Sequence, residues 1–223
     1  MEQGLEFDFI GGTSAGAVYG AGLTHTDFDF EKVMQLCKLA ADSKLTSNDL
    51  TLPIVSLMSG KKIRKFLDTM FGDAHLEDLW VNTYCVSANF SNASLKVHEK
   101  GLTRLQVAAS MAIPGVFPPV IINKHLHIDG GVIDNLPVEA MYKKPVRHII
   151  AVSLSSEETA MVYLHEVPSS WELFWNKLTN TTGYHLPGIS SILVNSITIN
   201  SRHRMESSKP NVSVFLELDL KEF

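Results

Sequence analysis

Cysteine is scarce in this sequence. Cys37 and Cys85 are the only two, far apart and in apolar surroundings. That excludes a disulfide framework, and both read as reduced core residues. Clusters of Cys and His at metal-binding spacing are missing too; His125 and His127 alternate on an expected strand without neighbouring ligands, so no metal is implied. Positive charge is not in excess. Lys and Arg number 19 against 24 Asp and Glu, a formal net charge of −5. Nucleic acid is therefore excluded as a main partner, because binding it depends on displacing counterions with basic side chains. No run of about 18 apolar residues occurs, so no membrane span is expected. The opening Met1-Glu2-Gln3-Gly4 lacks the basic and apolar regions of a secretory leader. A cytoplasmic location is the expectation, and the sequons at Asn89, Asn92, Asn180 and Asn211 read as chance.

What is present suffices for a core. The chain has 223 residues, 45% of them hydrophobic and 19% charged, which fits one globular domain and excludes disorder. Strand patterns are expected at 6–11, 80–88, 94–98, 120–122, 126–128, 147–153 and 212–218. Helical patterns are expected at 28–41, 61–71, 104–112, 137–142, 169–178 and 189–199, with a small-residue helix opening at Ser14. The polar segment Asn89 to Asn92 and the turn Asn123-Lys124-His125 each suggest a hairpin. Alternating strands and helices indicate an α/β fold, with a mostly parallel sheet covered on both faces plus one or two hairpins. Trp171, Phe174, Trp175 and Leu178 form one helical stripe. Core packing is the favoured meaning of that stripe, and a lipid interface the sharper one. The basic face of the 61–71 helix could meet anionic head groups, but a solvated face is favoured.

The chemistry concentrates in Gly11-Gly12-Thr13-Ser14-Ala15-Gly16, set between the apolar Phe7-Asp8-Phe9-Ile10 and the small-residue run from Ala17. Strand, sharp turn and helix form the context that a Gly-x-Ser-x-Gly nucleophile elbow requires. Ser14 would sit at a strained turn with its hydroxyl exposed. Gly12 and Gly16 would avoid β-carbons that crowd the strand against the helix. The Ala15 N–H, at the positive end of the helix, would face a developing oxyanion. The plainer alternative is a glycine-rich turn that binds an anion.

A serine nucleophile needs a base, and two arrangements compete. A Ser-Asp-His triad would draw on His148, His165, His185 or His203, none of which has a supporting loop context. A Ser-Asp dyad would use Asp129, which ends an apolar strand and precedes Gly130-Gly131. A carboxylate partly removed from water holds protons more tightly and is a better base.

Gly12-Thr13-Ser14-Ala15-Gly16 and Asp129-Gly130-Gly131 together resemble the patatin-like phospholipases. The likeness extends to Ala109-Ser110-Met111-Ala112-Ile113-Pro114-Gly115-Val116-Phe117-Pro118-Pro119, to Asp134-Asn135-Leu136-Pro137 and to Ile149–Ser153, and it is weak beyond about residue 155. The resemblance implies a three-layer α/β/α sandwich and an acyl hydrolase acting on phospholipids, lysophospholipids or other lipid esters. Ser14 is then the nucleophile, Asp129 the base, and no cofactor or metal takes part. Contact with a membrane surface would be peripheral. The family also carries a glycine-rich loop with a basic residue about thirty residues before the serine, which supplies most of the oxyanion hole. Only thirteen residues precede Ser14 here. The expectation is a domain incomplete at its N-terminus and open to truncation at its C-terminus, or a relative impaired in catalysis, with Ala15 N–H as the main remaining donor.

Overall fold

A computed structural model describes residues 6–42, 49–154 and 203–218, together with 168, 169, 171, 199 and 201. The expected helices at 169–178 and 189–199 lie outside the described residues, apart from Ser169, Trp171, which is exposed, and Ile199.

Strand β1 (Phe9–Gly12) feeds directly into helix α1 (Ala15–His25), followed by α2 (Phe30–Asp42) and α3 (Lys61–Phe71). Strands β2 (Asn82–Asn89) and β3 (Ser94–His98) form the first hairpin. Helix α4 (Thr103–Ser110) leads to the second, β4 (Val120–Ile122) and β5 (His125–Asp129). Helix α5 (Val138–Tyr142), β6 (Ile150–Ser153) and β7 (Val214–Glu217) complete the described elements. Both expected hairpins form. In the second, Asn123 and Lys124 alone make the turn, with φ of 50° and 67°, and His125 already belongs to β5. Two successive left-handed residues give the turn whose twist matches the strands it joins.

β2 is the hub of the main sheet. β1 lies parallel to its first half, with Phe9 opposite Asn82 and Gly12 opposite Cys85. β3 and β5 run antiparallel along its second half, and β5 pairs onward with β4. β6 and β7 pair in parallel as a separate two-stranded sheet among the described residues.

Side-chain alternation on β2 divides the domain into layers. Cys85 joins Ala17, Val18, Ala21, Val33, Leu67, Met70, Phe71, Leu76 and Val107 in a core formed with α1 to α4. Tyr84 and Val86 point the other way, against Ala140 and Met141 of α5. The sheet is thus covered on both faces, as an α/β sandwich requires. Helix α1 is built of small residues because it must approach its neighbours closely: a β-carbon on Gly22 would lie 2.5 Å from the Met70 methyl. Helix α3 is amphipathic in the ordinary way, with Ile63, Leu67, Met70 and Phe71 buried.

Candidate active site

Ser14 sits between the end of β1 and the first turn of α1 with φ 54° and ψ −118°. A β-carbon disfavours that backbone conformation by roughly 1–3 kcal/mol, so the surroundings must hold it. They do so from two sides. The Ser14 N–H donates to Oγ of Ser110, the last residue of α4, at 2.9 Å. The neighbouring Thr13 hydroxyl donates to the Asp134 carbonyl at 3.0 Å. The turn closes on itself through Gly16 N–H to Thr13 O at 2.8 Å and through the Ala17 and Val18 N–H groups to Ser14 O.

The two motif glycines have different duties. A β-carbon on Gly12 would lie 2.3 Å from the Gly16 carbonyl carbon, so only glycine fits there. At Gly16 the sequence-based expectation of crowding is wrong: a β-carbon there meets nothing within 4 Å. Gly16 faces outward from the first turn of α1, and the close approach falls on its backbone, beneath Gly12. The Ala15 N–H takes no part in the bonds of the turn among the described residues. It lies at the exposed end of α1, where an anion would meet the positive end of the helix dipole.

Asp129 is the last residue of β5, paired with Ser87 of β2 and buried. Its N–H donates to the Ala112 carbonyl at 2.9 Å. Its Oδ1 accepts the Gly131 N–H at 2.7 Å. Gly130 allows this turn to press on the sheet, since a β-carbon there would lie 2.4 Å from the Val86 carbonyl oxygen. Gly131 is buried and has little room for a side chain, with Asp129 Oδ1 only 3.1 Å from a β-carbon built on it. Burial pushes the Asp129 carboxyl up to about 6, against the lowering effects of the Gly131 N–H and of a hydrogen bond from the Ser14 side chain. The two side chains named from the sequence, 115 positions apart, are thus close enough for one to influence the other's titration. The arrangement places a hydroxyl against a carboxylate that is mostly ionised at neutral pH and still hungry for a proton.

The family model described as "Patatin-like phospholipase" matches residues 2–142, which include Ser14, Ser110 and Asp129. The chain belongs to the patatin-like phospholipase family. Among curated proteins, Lysophospholipase NTE1 of Candida albicans is 33% identical over 96% of this chain and 16% of its own length. Lysophospholipase NTE1 of Meyerozyma guilliermondii is 31% identical over 96% of this chain and 15% of that protein. Lysophospholipase NTE1 of Saccharomyces cerevisiae is 30% identical over 100% of this chain and 14% of that protein. The chain thus spans about one-sixth of the length of these curated relatives.

Within this patatin-like site, no hydrogen bond joins Ser14 to a late histidine among the described residues. His148 faces the Ser213 hydroxyl at 3.4 Å, His203 is exposed, and His165 and His185 lie outside the described residues. Sequence reasoning missed two other features. One is Ser110, whose hydroxyl is fully buried and holds the turn at Ser14. Its only signal was its place in the family-like segment 109–119. The other is a buried cluster beside Asp129. Ser87 Oγ lies 2.7 Å from His98 Nε2 and 2.8 Å from His127 Nδ1. His127, which the sequence left without a neighbour, is therefore partnered. Burial, with the other imidazole next in importance, holds His98 down at about 4. Burial also lowers His127, with His125 next in importance. Both rings are neutral at physiological pH, so they place no positive charge next to Asp129. No spacing rule brings Ser87, His98 and His127 together before the strand pairings are known.

Among the described residues, no helix is long and apolar enough to cross a membrane.

Proposed function

We propose that this domain is a lipid acyl hydrolase in which Ser14 attacks the ester carbonyl and Asp129 serves as the base. The contact between the Ser14 hydroxyl and the buried Asp129 carboxylate supports this reading above all. Asp129 accepts the hydroxyl proton as Oγ bonds to the acyl carbon, and the carbonyl electron pair moves onto oxygen. The Ala15 N–H and the α1 dipole face that oxyanion. Collapse of the intermediate breaks the ester bond, and the departing alcohol takes the proton back from Asp129. Asp129 then removes a proton from water as the water oxygen attacks the acyl-enzyme. Collapse of that second intermediate breaks the bond between Ser14 Oγ and the acyl carbon, Asp129 returns the proton to Oγ, and the fatty acid leaves. A carboxyl group near 6 is basic enough to take the proton and acidic enough to return it.

The relatives, which are lysophospholipases by name, favour lysophospholipids within the lipid esters. A fluorophosphonate probe tests the assignment. Labelling of the wild type and none of Ser14→Ala supports it. No labelling of either supports a non-catalytic domain. Release of fatty acid from lysophosphatidylcholine, compared with a short-chain ester, then separates lysophospholipase from general esterase.

A further inference from the structure

The segment from Asp49 to Ser59 is a finger with a fixed base and an apolar tip. At the base, Ser59 N–H donates to Asp49 O at 2.7 Å and the Ser59 hydroxyl to Asp49 Oδ1 at 2.5 Å. Leu50 and Met58 form an antiparallel bridge, and Thr51 N–H donates to Leu57 O at 3.1 Å. Leu57 and Met58 N–H groups donate to the carbonyls of Gly115 and Val116, at 2.8 and 2.9 Å. The Ser56 hydroxyl is buried and donates back to Met58 O at 2.7 Å. The finger is therefore held by its own backbone and by the segment after α4.

Its tip is the reverse of what an ordered surface loop ordinarily shows. Leu50, Leu52, Ile54 and Val55 are between 63% and 80% exposed. No charged residue occurs from Leu50 to Met58. Four large aliphatic side chains on one short, fixed segment form a contiguous apolar projection. Immediately after it, α3 opens with Lys61, Lys62, Arg64 and Lys65, and its first turn contains no acid. Lys61, Arg64 and Lys65 are exposed. The acids closest along the chain are engaged elsewhere: Asp49 with Ser59, and Asp68 with Arg104 at 3.2 Å.

We propose that this finger inserts into the surface of an anionic lipid bilayer, with the first turn of α3 resting on the head groups. Aliphatic side chains that lack hydrogen-bonding groups suit the boundary of the acyl region, and adjacent cations suit anionic head groups. A protein partner would more commonly be met by aromatic or arginine anchors in a polar rim, which the tip does not offer. The basic face of α3, which alone reads as solvated, gains this meaning from the projection beside it. The inference goes beyond the hydrolase reading, since a surface for docking on lipid is useful to it but does not depend on turnover.

Vesicle flotation tests it, with the full chain carrying Ser14→Ala so that no lipid is consumed. Phosphatidylcholine vesicles are compared with vesicles that also contain phosphatidylserine. The unchanged finger should bind the phosphatidylserine vesicles more tightly, and added salt should weaken that preference. Replacing Ile54 and Val55 together by Ser should weaken binding to both by about tenfold or more. Replacing Lys61 and Lys65 together by Glu should abolish only the phosphatidylserine preference. All these side chains are exposed, so circular dichroism and melting should not change. Binding by the Ile54→Ser, Val55→Ser protein equal to that of its parent would overturn the proposal. So would an oligomer, seen by sedimentation, that this substitution converts to monomer, since the tip would then be covered by protein. Binding in these assays is independent of Ser14 chemistry, so failure of the hydrolase reading leaves their outcome intact.

Discussion

Asp129 should be a residue that the fold tolerates at a cost, and replacing it by Asn should stabilise the domain in a pH-dependent way. An aspartate carboxyl ordinarily titrates at 3.8, and burial raises this one to about 6. The folded state therefore holds the proton more tightly than the unfolded chain does. Between those two values the folded state carries more protons, so stability falls as pH rises through the window and levels off above it. At 1.36 kcal/mol per unit the full penalty is about 3 kcal/mol. Asn is neutral and keeps an oxygen to accept the Gly131 N–H. Asp129→Asn should therefore have no advantage near pH 4, gain progressively toward pH 6, and be up to about 3 kcal/mol more stable at pH 8. For a chain of this size that corresponds to a rise of several degrees in melting temperature. Urea unfolding of both proteins at pH 4 and pH 8, followed by circular dichroism, measures it. Equal differences at the two pH values, or a loss of stability at pH 8, would refute the reasoning that desolvation dominates at Asp129. The same variant should lose hydrolysis, which separates the fold's interest from the site's.

Three further outcomes follow from the site. If Asp129 is the base, kcat/KM for a water-soluble ester should rise with pH and reach a plateau, with an inflection near 6; a flat profile between pH 5 and 8 would exclude that role. Ser110→Ala strips the Ser14 N–H of its acceptor. It should lower kcat by about ten- to a hundred-fold with little change in KM, because it disturbs the placing of Oγ and not the binding of lipid; an unchanged fluorophosphonate labelling rate would count against it. Gly12→Ala must displace the Gly16 backbone and should destabilise the fold by about 3 kcal/mol or more, whereas Gly16→Ala should fold normally, a contrast that melting curves read directly.

The elements that could be read from the sequence are those whose signal is local. Helix α3 occupies the expected residues because its apolar stripe and the left-handed Gly60 and Gly72 are all within the segment. Strand β3 and the Asn123-Lys124 turn are local in the same sense. Ser14 and Asp129 could be singled out as candidates because each sits in a short motif with glycines, of which Gly12 and Gly130 have a steric reason. Gly16 was misread because a rule about spacing cannot say which of two glycines lies under the other. Ser110 and the Ser87, His98 and His127 cluster were not legible, since each depends on which strand or helix lies alongside β2. The apolar finger was missed for a different reason. Thr51-Leu52-Pro53-Ile54-Val55 looks like ordinary loop and core composition, and only solvent exposure distinguishes the two.

The seven residues from Ser110, the last of α4, to Val116 connect all of these parts. Ser110 accepts the N–H of the candidate nucleophile, and the Ala112 carbonyl accepts that of the candidate base. Gly115 and Val116 accept the two N–H groups at the base of the finger. The segment turns tightly between them, with Val116 and Phe117 N–H groups both donating to Ile113 O, and Pro114, Pro118 and Pro119 limit its alternatives. The relative position of Ser14 and Asp129 is therefore set by the exit of one helix, and not by the β1 and β5 strands alone. A displacement of the finger by a lipid surface would act on that exit through two backbone hydrogen bonds, three residues from the carbonyl that holds Asp129. Loop segments rarely carry such duties unless their backbone is pinned at several points, and here the pins are Ser14 and Asp129 at one end and the finger at the other.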